Sequence, residues 1–426
     1  MSRFRRAALL LGGLLLLALL VAGGHDFCRG RGLTPPVVEL HAEADGPLLV
    51  GAASRALDVP LPATVAGYGV PRAMARSVAF PVRARALVLE RGAVRVGLVT
   101  LDLLVGDDGL DSAIREATWS LELTDLWVVV THTQSGPGGY ASNLVAQVAG
   151  TGRFREATRD AVATAAAGAL AEAYQTRQPV ALRFGDGAVP ELVGAREPPP
   201  DVDARLSRLV FDGREGPLAQ LLVFSCHPTL VPRPPAGLDP DWPGRLAVAE
   251  ALRGHGLTLV LQGAVGNASP AQREESGERL SRFLAELASA ADALKLAPAP
   301  GFLGVARVRV ELPGPDAQRL VPAFARPLTN NLLCAASPRE ASVGLLRLGP
   351  LTLLGVPAEP SAAAGRVLEA ASGAHRVVAL VNGYLGYVET PEHLAKSEGE
   401  AERQLLSAGF LDALVQGARS ARAALP

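Results

Sequence analysis

Residues 126–130, Leu126-Trp127-Val128-Val129-Val130, run directly into Thr131-His132-Thr133-Gln134-Ser135-Gly136-Pro137-Gly138-Gly139-Tyr140. Five consecutive apolar residues rich in valine are too short for a helix and fit a strand buried on both faces. The polar, glycine-rich stretch after them is a loop. Downstream, residues 154–174 have the Ala, Leu, Arg and Glu content that favours a helix. A buried strand thus hands its chain to a polar loop and then to a helix.

The same order recurs along the chain. Apolar runs of strand length stand at 218–224, 257–261, 351–356 and 377–381, and helical stretches at 154–174, 245–253, 275–294, 362–371 and 400–424. Residues 82–90 and 94–103 flank Arg91-Gly92 as an antiparallel hairpin. Alternation of this kind predicts an α/β fold, with mixed, buried β-sheets flanked by helices in a single large catalytic domain spanning 47–426. Proline-rich breaks at 197–200, 231–243 and 297–300 read as loops, residues 28–46 as a linker, and no internal repeat is visible.

Aromatic residues make up 4% of the 426 and charged residues 19%, so Leu, Val and Ala must build the core. A formal net charge of −1, with scattered arginines, excludes the concentrated positive field that nucleic acid requires. Three cysteines, Cys28, Cys226 and Cys334, do not make a disulfide framework, which leaves the hydrophobic core to carry stability. At the N-terminus, Arg3, Arg5 and Arg6 precede the unbroken apolar run 7–24. Basic flank and apolar run make residues 1–27 a signal peptide or an N-terminal signal-anchor, with the rest exported, either membrane-anchored or secreted/periplasmic. Cys28 comes after His25-Asp26-Phe27 and does not sit in a lipobox.

The segments just past the apolar runs carry the chemistry. Run 218–224 leads into Ser225-Cys226-His227-Pro228-Thr229, and 257–261 into Gln262-Gly263-Ala264-Val265-Gly266-Asn267-Ala268-Ser269-Pro270. Run 351–356 leads into Pro357-Ala358-Glu359, and 377–381 into Asn382-Gly383-Tyr384-Leu385-Gly386-Tyr387. In open α/β sheets, ligand sites form beyond the carboxyl ends of strands. His132, His227, Glu359 and a tyrosine are therefore candidates to converge. Two imidazoles and a carboxylate are a ligand set for catalytic zinc, which leaves a position for water; zinc lowers the pKa of that water and polarises carbonyls. With no His-Glu-x-x-His helix, the ligands must come from distant segments.

Singly, each residue has a plainer account: a hydrogen-bonded histidine at a strand end, a glutamate at a helix N-terminus, a packed tyrosine. Gly136, Gly138 and Gly139 either permit a tight turn or offer successive N–H groups to an anion. Cys226 and His227 point to opposite faces of an extended segment, so Cys226 reads as a buried apolar residue.

Taken together, the segments resemble the neutral (non-lysosomal) ceramidase family. The decade 131–140 is similar to the family's T-H-T-H-S-G-P-G-G-Y. In the family's order come Ala66-Gly67-Tyr68-Gly69, Ala84-Arg85-Ala86-Leu87 with Asp102, Phe224-Ser225-Cys226-His227-Pro228-Thr229 with Asp241, the loop 262–270, the segment 355–359 and the segment 382–391. The resemblance implies a zinc-dependent amide hydrolase of sphingolipid metabolism. Such an enzyme opens the N-acyl bond of ceramide or a related N-acyl lipid by attack of a zinc-activated water, giving a sphingoid base and a fatty acid beside the membrane surface. It places the metal on His132, His227, Glu359 and Tyr387, the chemistry on Ser269 with Gln134 and Asn267, and substrate contacts at Gly138, Gly139, Arg196 and Tyr384. It also leads one to expect no C-terminal immunoglobulin-like domain here, the chain ending before one. Gln134 stands where the family has a second histidine and Asn267 where it has an aspartate, and each substitution removes a titratable group. Hydrolysis of another amide, or a catalytically weakened zinc- and lipid-binding role, are the alternatives.

Overall fold

In the apolar strands, successive residues face opposite sides, and both sides are buried. Leu87 and Leu89 join one hydrophobic cluster while Ala86 and Val88 join another, and Leu221 and Val223 part in the same way from Leu222 and Phe224. Such strands need a layer on each face. The computed structural model, which describes residues 12, 28, 30–32, 34–67, 72–271, 278–319 and 321–425, meets that need with three sheets around a shared centre and helices outside.

The chain enters along β1 (Val37–Glu43) and then builds the first sheet from β2 (Leu48–Ala56), β3 (Arg83–Arg91), β4 (Val94–Leu101), β5 (Asp125–Val130) and β6 (Gln178–Pro179), in the order β5-β4-β3-β2-β6. The second sheet uses β7 (Ala181–Ala188), β8 (Arg205–Gly213), β9 (Gly216–Phe224), β10 (Leu257–Gln262) and β11 (Ala297–Ala299), in the order β10-β9-β8-β7-β11. The third has β12 (Leu303–Glu311), β13 (Glu340–Leu348), β14 (Leu351–Gly355) and β15 (Arg376–Val378), in the order β15-β14-β13-β12-β1. Helices α1 (Asp108–Ala117) and α2 (Glu156–Gln175) cover the first sheet, α3 (Asp241–Leu252) and α4 (Arg279–Ala293) the second. Of α5 (Arg326–Ala336), α6 (Ala362–Ser372) and α7 (Phe410–Ala424), the last two cover the third.

One unit is thus used three times: an antiparallel meander of three strands, a helix, a fourth strand parallel to the third, and a covering helix. The parallel pairs are β4 with β5, β9 with β10, and β14 with β15. No repeat was legible in the sequence because what repeats is the connectivity and the inward-outward alternation, which many apolar residues satisfy. Two-residue turns link the second and third strands of each meander: Gly92-Ala93, Arg214-Glu215 and Gly349-Pro350. The long connections lie at the other end, beyond the carboxyl ends of the third and fourth strands. Inside the prism, Trp127 fills the notch left where Gly344 and Gly355 face each other across the β13–β14 ladder.

The expected α/β class, with buried mixed sheets flanked by helices, is the observed one. Three expectations change. Residues expected as a linker contain β1, held by its ladder to β12 and by the Glu39–Arg309 ion pair at 2.9 Å; its valines are exposed, so it lacked the apolar signal of a strand. The helix expected over 400–424 begins at Phe410, after a 3₁₀ turn at Ala401–Arg403. Cys28 and Cys334 form a disulfide across 306 positions, a pairing that spacing could not suggest. Cys226 is free and buried, as expected. The apolar run 7–24, except Gly12, and Tyr68 and Gly69 lie outside the described residues; among those described, no helix is long and apolar enough to cross a membrane.

Trp127→Ala should destabilise the protein by about 3–5 kcal/mol through the cavity it leaves. Gly355→Ala should also destabilise, since its Cβ would lie 2.9 Å from the Trp127 ring. Urea-denaturation midpoints measure both.

Candidate metal centre

Each unit sends one side chain to the prism's loop end. His132 lies two residues past β5, His227 three past β9 and Glu359 four past β14, and all three are buried. The His132 Nε2 is 3.2 Å from the Glu359 Oε2, and the His227 Nε2 is 3.1 Å from the same oxygen. The imidazoles meet edge to face with ring centroids 4.8 Å apart. His132 has φ +68°, a left-handed conformation that a non-glycine residue adopts only where its surroundings enforce it.

The opposite ring nitrogens fix the protonation pattern. His132 Nδ1 is 2.7 Å from the Leu104 carbonyl oxygen and His227 Nδ1 is 2.8 Å from that of Ala268. Carbonyls only accept, so each Nδ1 carries the proton and a neutral ring turns the lone pair of Nε2 toward Glu359. Tyr384 donates its hydroxyl to Glu359 Oε1 at 2.6 Å, which leaves Oε2 buried and without a hydrogen-bond partner. Two lone pairs and an anionic oxygen therefore point into one enclosed space. A cation satisfies all three, and the donor set is that of catalytic zinc.

The charges respond accordingly. Burial disfavours the charge of Glu359, yet His132 and His227 outweigh it and hold the carboxyl well below its usual range. Burial also pushes His132 down, but Glu359 overcomes this and the net shift is upward. His227 is pushed down to about 4 by burial, aided by Arg196.

Arg196 and Tyr387 complete the cluster. Arg196 donates through Nη2 to the Tyr387 hydroxyl at 3.3 Å and to the Gly266 carbonyl at 2.5 Å, and through Nε to Glu400 at 3.1 Å. The Tyr387 oxygen is 3.5 Å from the His227 Nε2. Burial first, and then Glu359, raise both Tyr387 and Tyr384, so both phenols remain protonated.

A cavity of about 1070 Å³ opens over this group, with Leu104, Val105, Gln134, Ala336, Leu385 and Leu406 among its walls. Asp107 and Asp108 line it as well. Asp241 supports the floor: its carboxylate accepts the backbone N–H groups of Leu230, Val231 and Trp242 beyond His227.

Other expected site residues lie elsewhere. The N–H groups of Gly138 and Gly139 donate to the Thr64 and Thr151 carbonyls at 2.6 and 2.7 Å, so neither is free for an anion or substrate. Gly138 is there for close packing, since a Cβ would meet the Thr151 oxygen at 2.3 Å. Asn267 spends its amide on backbone, donating to Asp201 O at 2.6 Å and accepting from Ala362 N at 3.0 Å, and does not line the cavity. Ser269 pairs with Gly194 in a small ribbon behind His227 and is also off the cavity wall. Gln134 does line it. Sequence reasoning missed Glu400, the Leu104 carbonyl and the wall residues 336–338, 340–342 and 402–406, which belong to no motif.

Residues 58–198 match the family model described as neutral/alkaline non-lysosomal ceramidase, N-terminal. That segment is of the neutral/alkaline non-lysosomal ceramidase family. It carries His132 and Arg196, while His227, Glu359 and Tyr387 lie beyond it. Among solved structures, the neutral ceramidase from Pseudomonas aeruginosa shares the fold with a TM-score of 0.75 at 20% identity, covering 90% of this chain and 75% of that one. A ceramidase complexed with C2 gives a TM-score of 0.74 at 19% identity, covering 89% of this chain and 75% of that one. No curated protein matches the chain by sequence.

Tyr384→Phe frees the Glu359 carboxylate to rotate. Groups that orient metal ligands are worth about 10–100-fold in affinity, so zinc should bind weaker by roughly that factor, as read by competition with a chelator. Unchanged affinity would remove Tyr384 from this role.

Proposed function

We propose that the chain is a zinc-dependent amide hydrolase that cleaves the N-acyl bond of ceramide or a related N-acyl lipid. The observation that carries the reading is the convergence of two imidazole lone pairs on the unpartnered oxygen of Glu359, at the floor of a partly apolar cavity. The family match over 58–198 and the fold shared with two ceramidases support the substrate class.

His132, His227 and Glu359 would hold the metal, with the Tyr387 hydroxyl as a fourth neighbour. Bound zinc would supply Lewis-acid polarisation of the amide carbonyl and a water acidic enough to react near neutral pH. Tyr384 keeps the Glu359 carboxylate in one orientation. Arg196 and Tyr387 present N–H and O–H donors beside the metal ligands, where negative charge grows on the amide oxygen. Hydrolysis breaks the C–N bond, gives the acyl carbon a hydroxyl and requires a proton for the leaving amine. Gln134 faces the cavity and can only hydrogen-bond, so it cannot deliver that proton. Leu104, Val105, Leu385 and Leu406 offer the wall for an acyl or sphingoid chain.

The Arg3, Arg5 and Arg6 cluster ahead of residues 7–24 supports export. The Cys28–Cys334 disulfide supports it independently, because such bonds persist in oxidising compartments.

Replacing either His132 or His227 with Ala should abolish zinc binding and ceramide hydrolysis while circular dichroism stays native; full zinc content in such variants would sink the assignment. The two departures from the family pattern should behave differently. Gln134→His restores a proton carrier facing the cavity, and since well-placed acid–base groups are worth about 10²–10⁴ in rate, kcat on ceramide should rise by about 10-fold or more. Asn267→Asp loses the donor to Asp201 O and should instead lower stability by about 1–3 kcal/mol without raising kcat. An inactive parent that Gln134→His activates would favour a weakened lipid-binding role.

A further inference from the structure

The disulfide ties two distant parts of the chain at a particular place. Cys28 stands only four residues past Gly24, the end of the apolar run, and four residues reach at most about 14 Å. Its partner Cys334 is in α5, whose carboxyl end passes Ala336, Ser337 and Pro338 into the cavity wall. The chain is thereby tied, at Cys28, to the helix that leads into one wall of the cavity.

Two of the segments that line the cavity carry exposed apolar side chains. Leu332, 64% exposed, lies one turn before Ala336 on α5, and Phe324, 89% exposed, stands in the 3₁₀ turn Ala323–Ala325 that leads into the helix. The segment whose Ala146 and Gly150 also line the cavity carries Leu144 at 68% exposure and Val148 at 71%. Single exposed leucines are ordinary; four large apolar side chains flanking one opening, with a membrane segment stapled beside them, are not. By contrast Leu252, 84% exposed, ends α3 just before β10 starts, at the prism end away from the cavity.

We propose that the cavity mouth docks on the lipid bilayer that holds residues 7–24, with Leu144, Val148, Phe324 and Leu332 entering its interface and the Cys28–Cys334 disulfide holding the molecule mouth-down. This rests on the reading of the N-terminal segment as an anchor that is kept. It gives a lipid substrate a route from the bilayer to the metal ligands without crossing water.

The test uses the full chain reconstituted in phosphatidylcholine vesicles with brominated acyl chains, in a Trp119→Phe background so that the other indoles, Trp127 and Trp242, are buried. Val148→Trp and Leu332→Trp should each lose most of their emission, and Leu252→Trp almost none. Adding the double change Cys28→Ser with Cys334→Ser should bring Leu332→Trp down toward the Leu252→Trp level. Should that double variant fail to fold by circular dichroism, Val148→Asp with Leu332→Asp replaces it. This variant should slow hydrolysis of vesicle-borne ceramide several-fold and leave that of detergent-dispersed ceramide unchanged. Equal quenching at the three positions, a mature chain shown by mass spectrometry to start after residue 24, or aspartate variants with unaltered vesicle turnover would each overturn the docking. Quenching requires no turnover. Quenched but inactive protein therefore refutes the hydrolase reading alone, and active but unquenched protein refutes the docking alone.

Discussion

Strands apolar on both faces are the constraint on which the rest of the structure depends. A sheet of such strands cannot leave either face in water, and apolar surface is worth roughly 25 cal/mol per Å² removed from it. Covering one face with helices and closing the other against two more sheets of the same kind solves the problem for all three at once. The shared centre includes Leu87, Leu89 and Trp127 from the first sheet, Phe211, Leu221 and Val223 from the second, and Leu346, Leu348 and Leu353 from the third. The prism then has two unlike ends. Tight two-residue turns close one, and the carboxyl ends of three parallel strand pairs open onto the other.

The open end is also stitched between units, which is why its side chains can be held in strained positions. Gln262 receives the Cys226 N–H and donates to the Thr131 carbonyl, and Ala379 N–H donates to the Gln262 carbonyl. Asn382 receives the Val128 N–H and donates to Val128 and Leu126. These bonds lie within a few residues of His132 and His227, and beside Glu359 the Leu380 N–H donates to the Ala358 carbonyl at 3.2 Å; each unit supplies one of the three side chains. A buried Arg85–Asp102 pair at 2.9 Å, bonded on to the Gly244 carbonyl, fixes the start of the loop that supplies Leu104 O. Converging lone pairs on a carboxylate is unfavourable without a cation, and such an arrangement persists only where its surroundings over-determine it. The stitching, the two Nδ1 bonds and the Tyr384 hydroxyl do so.

Much of this was legible in the residues. Seven strands and most helices could be placed because Val- and Leu-rich runs and Ala-rich stretches carry strong local signals. His132, His227 and Glu359 stood out because each comes soon after such a run. The features that stayed hidden have no local signal. β1 is an exposed edge strand kept by its ladder and ion pairs, the disulfide joins positions 306 apart, and the triplication keeps connectivity rather than side chains. Gly138, Gly139 and Asn267 looked functional because they share a motif with functional residues. Their atoms are consumed by backbone contacts, and the motif serves folding as much as chemistry.

The division between the two kinds of loop at the open end has a functional consequence. The candidate metal ligands come from the first two to four residues after a third or fourth strand, where the sheet still fixes the backbone. The cavity walls come instead from longer connections. These include the three that join the first strand of each meander to the second, which bring Gly67, Arg196 and Ala336–Pro338 to the rim. A change at Ala336–Pro338 alters the shape a substrate meets without breaking a hydrogen bond to His132, His227 or Glu359, whereas Leu104, Tyr384 and Arg196 serve the wall and the ligands at once. Loops on a rigid scaffold are where specificity diverges. In this chain the 312–339 connection also takes the disulfide, so the segment that shapes one wall is the one tied to the N-terminal apolar run. α5 therefore links one wall of the cavity to the N-terminal part of the chain, while His132, His227 and Glu359 come from other segments.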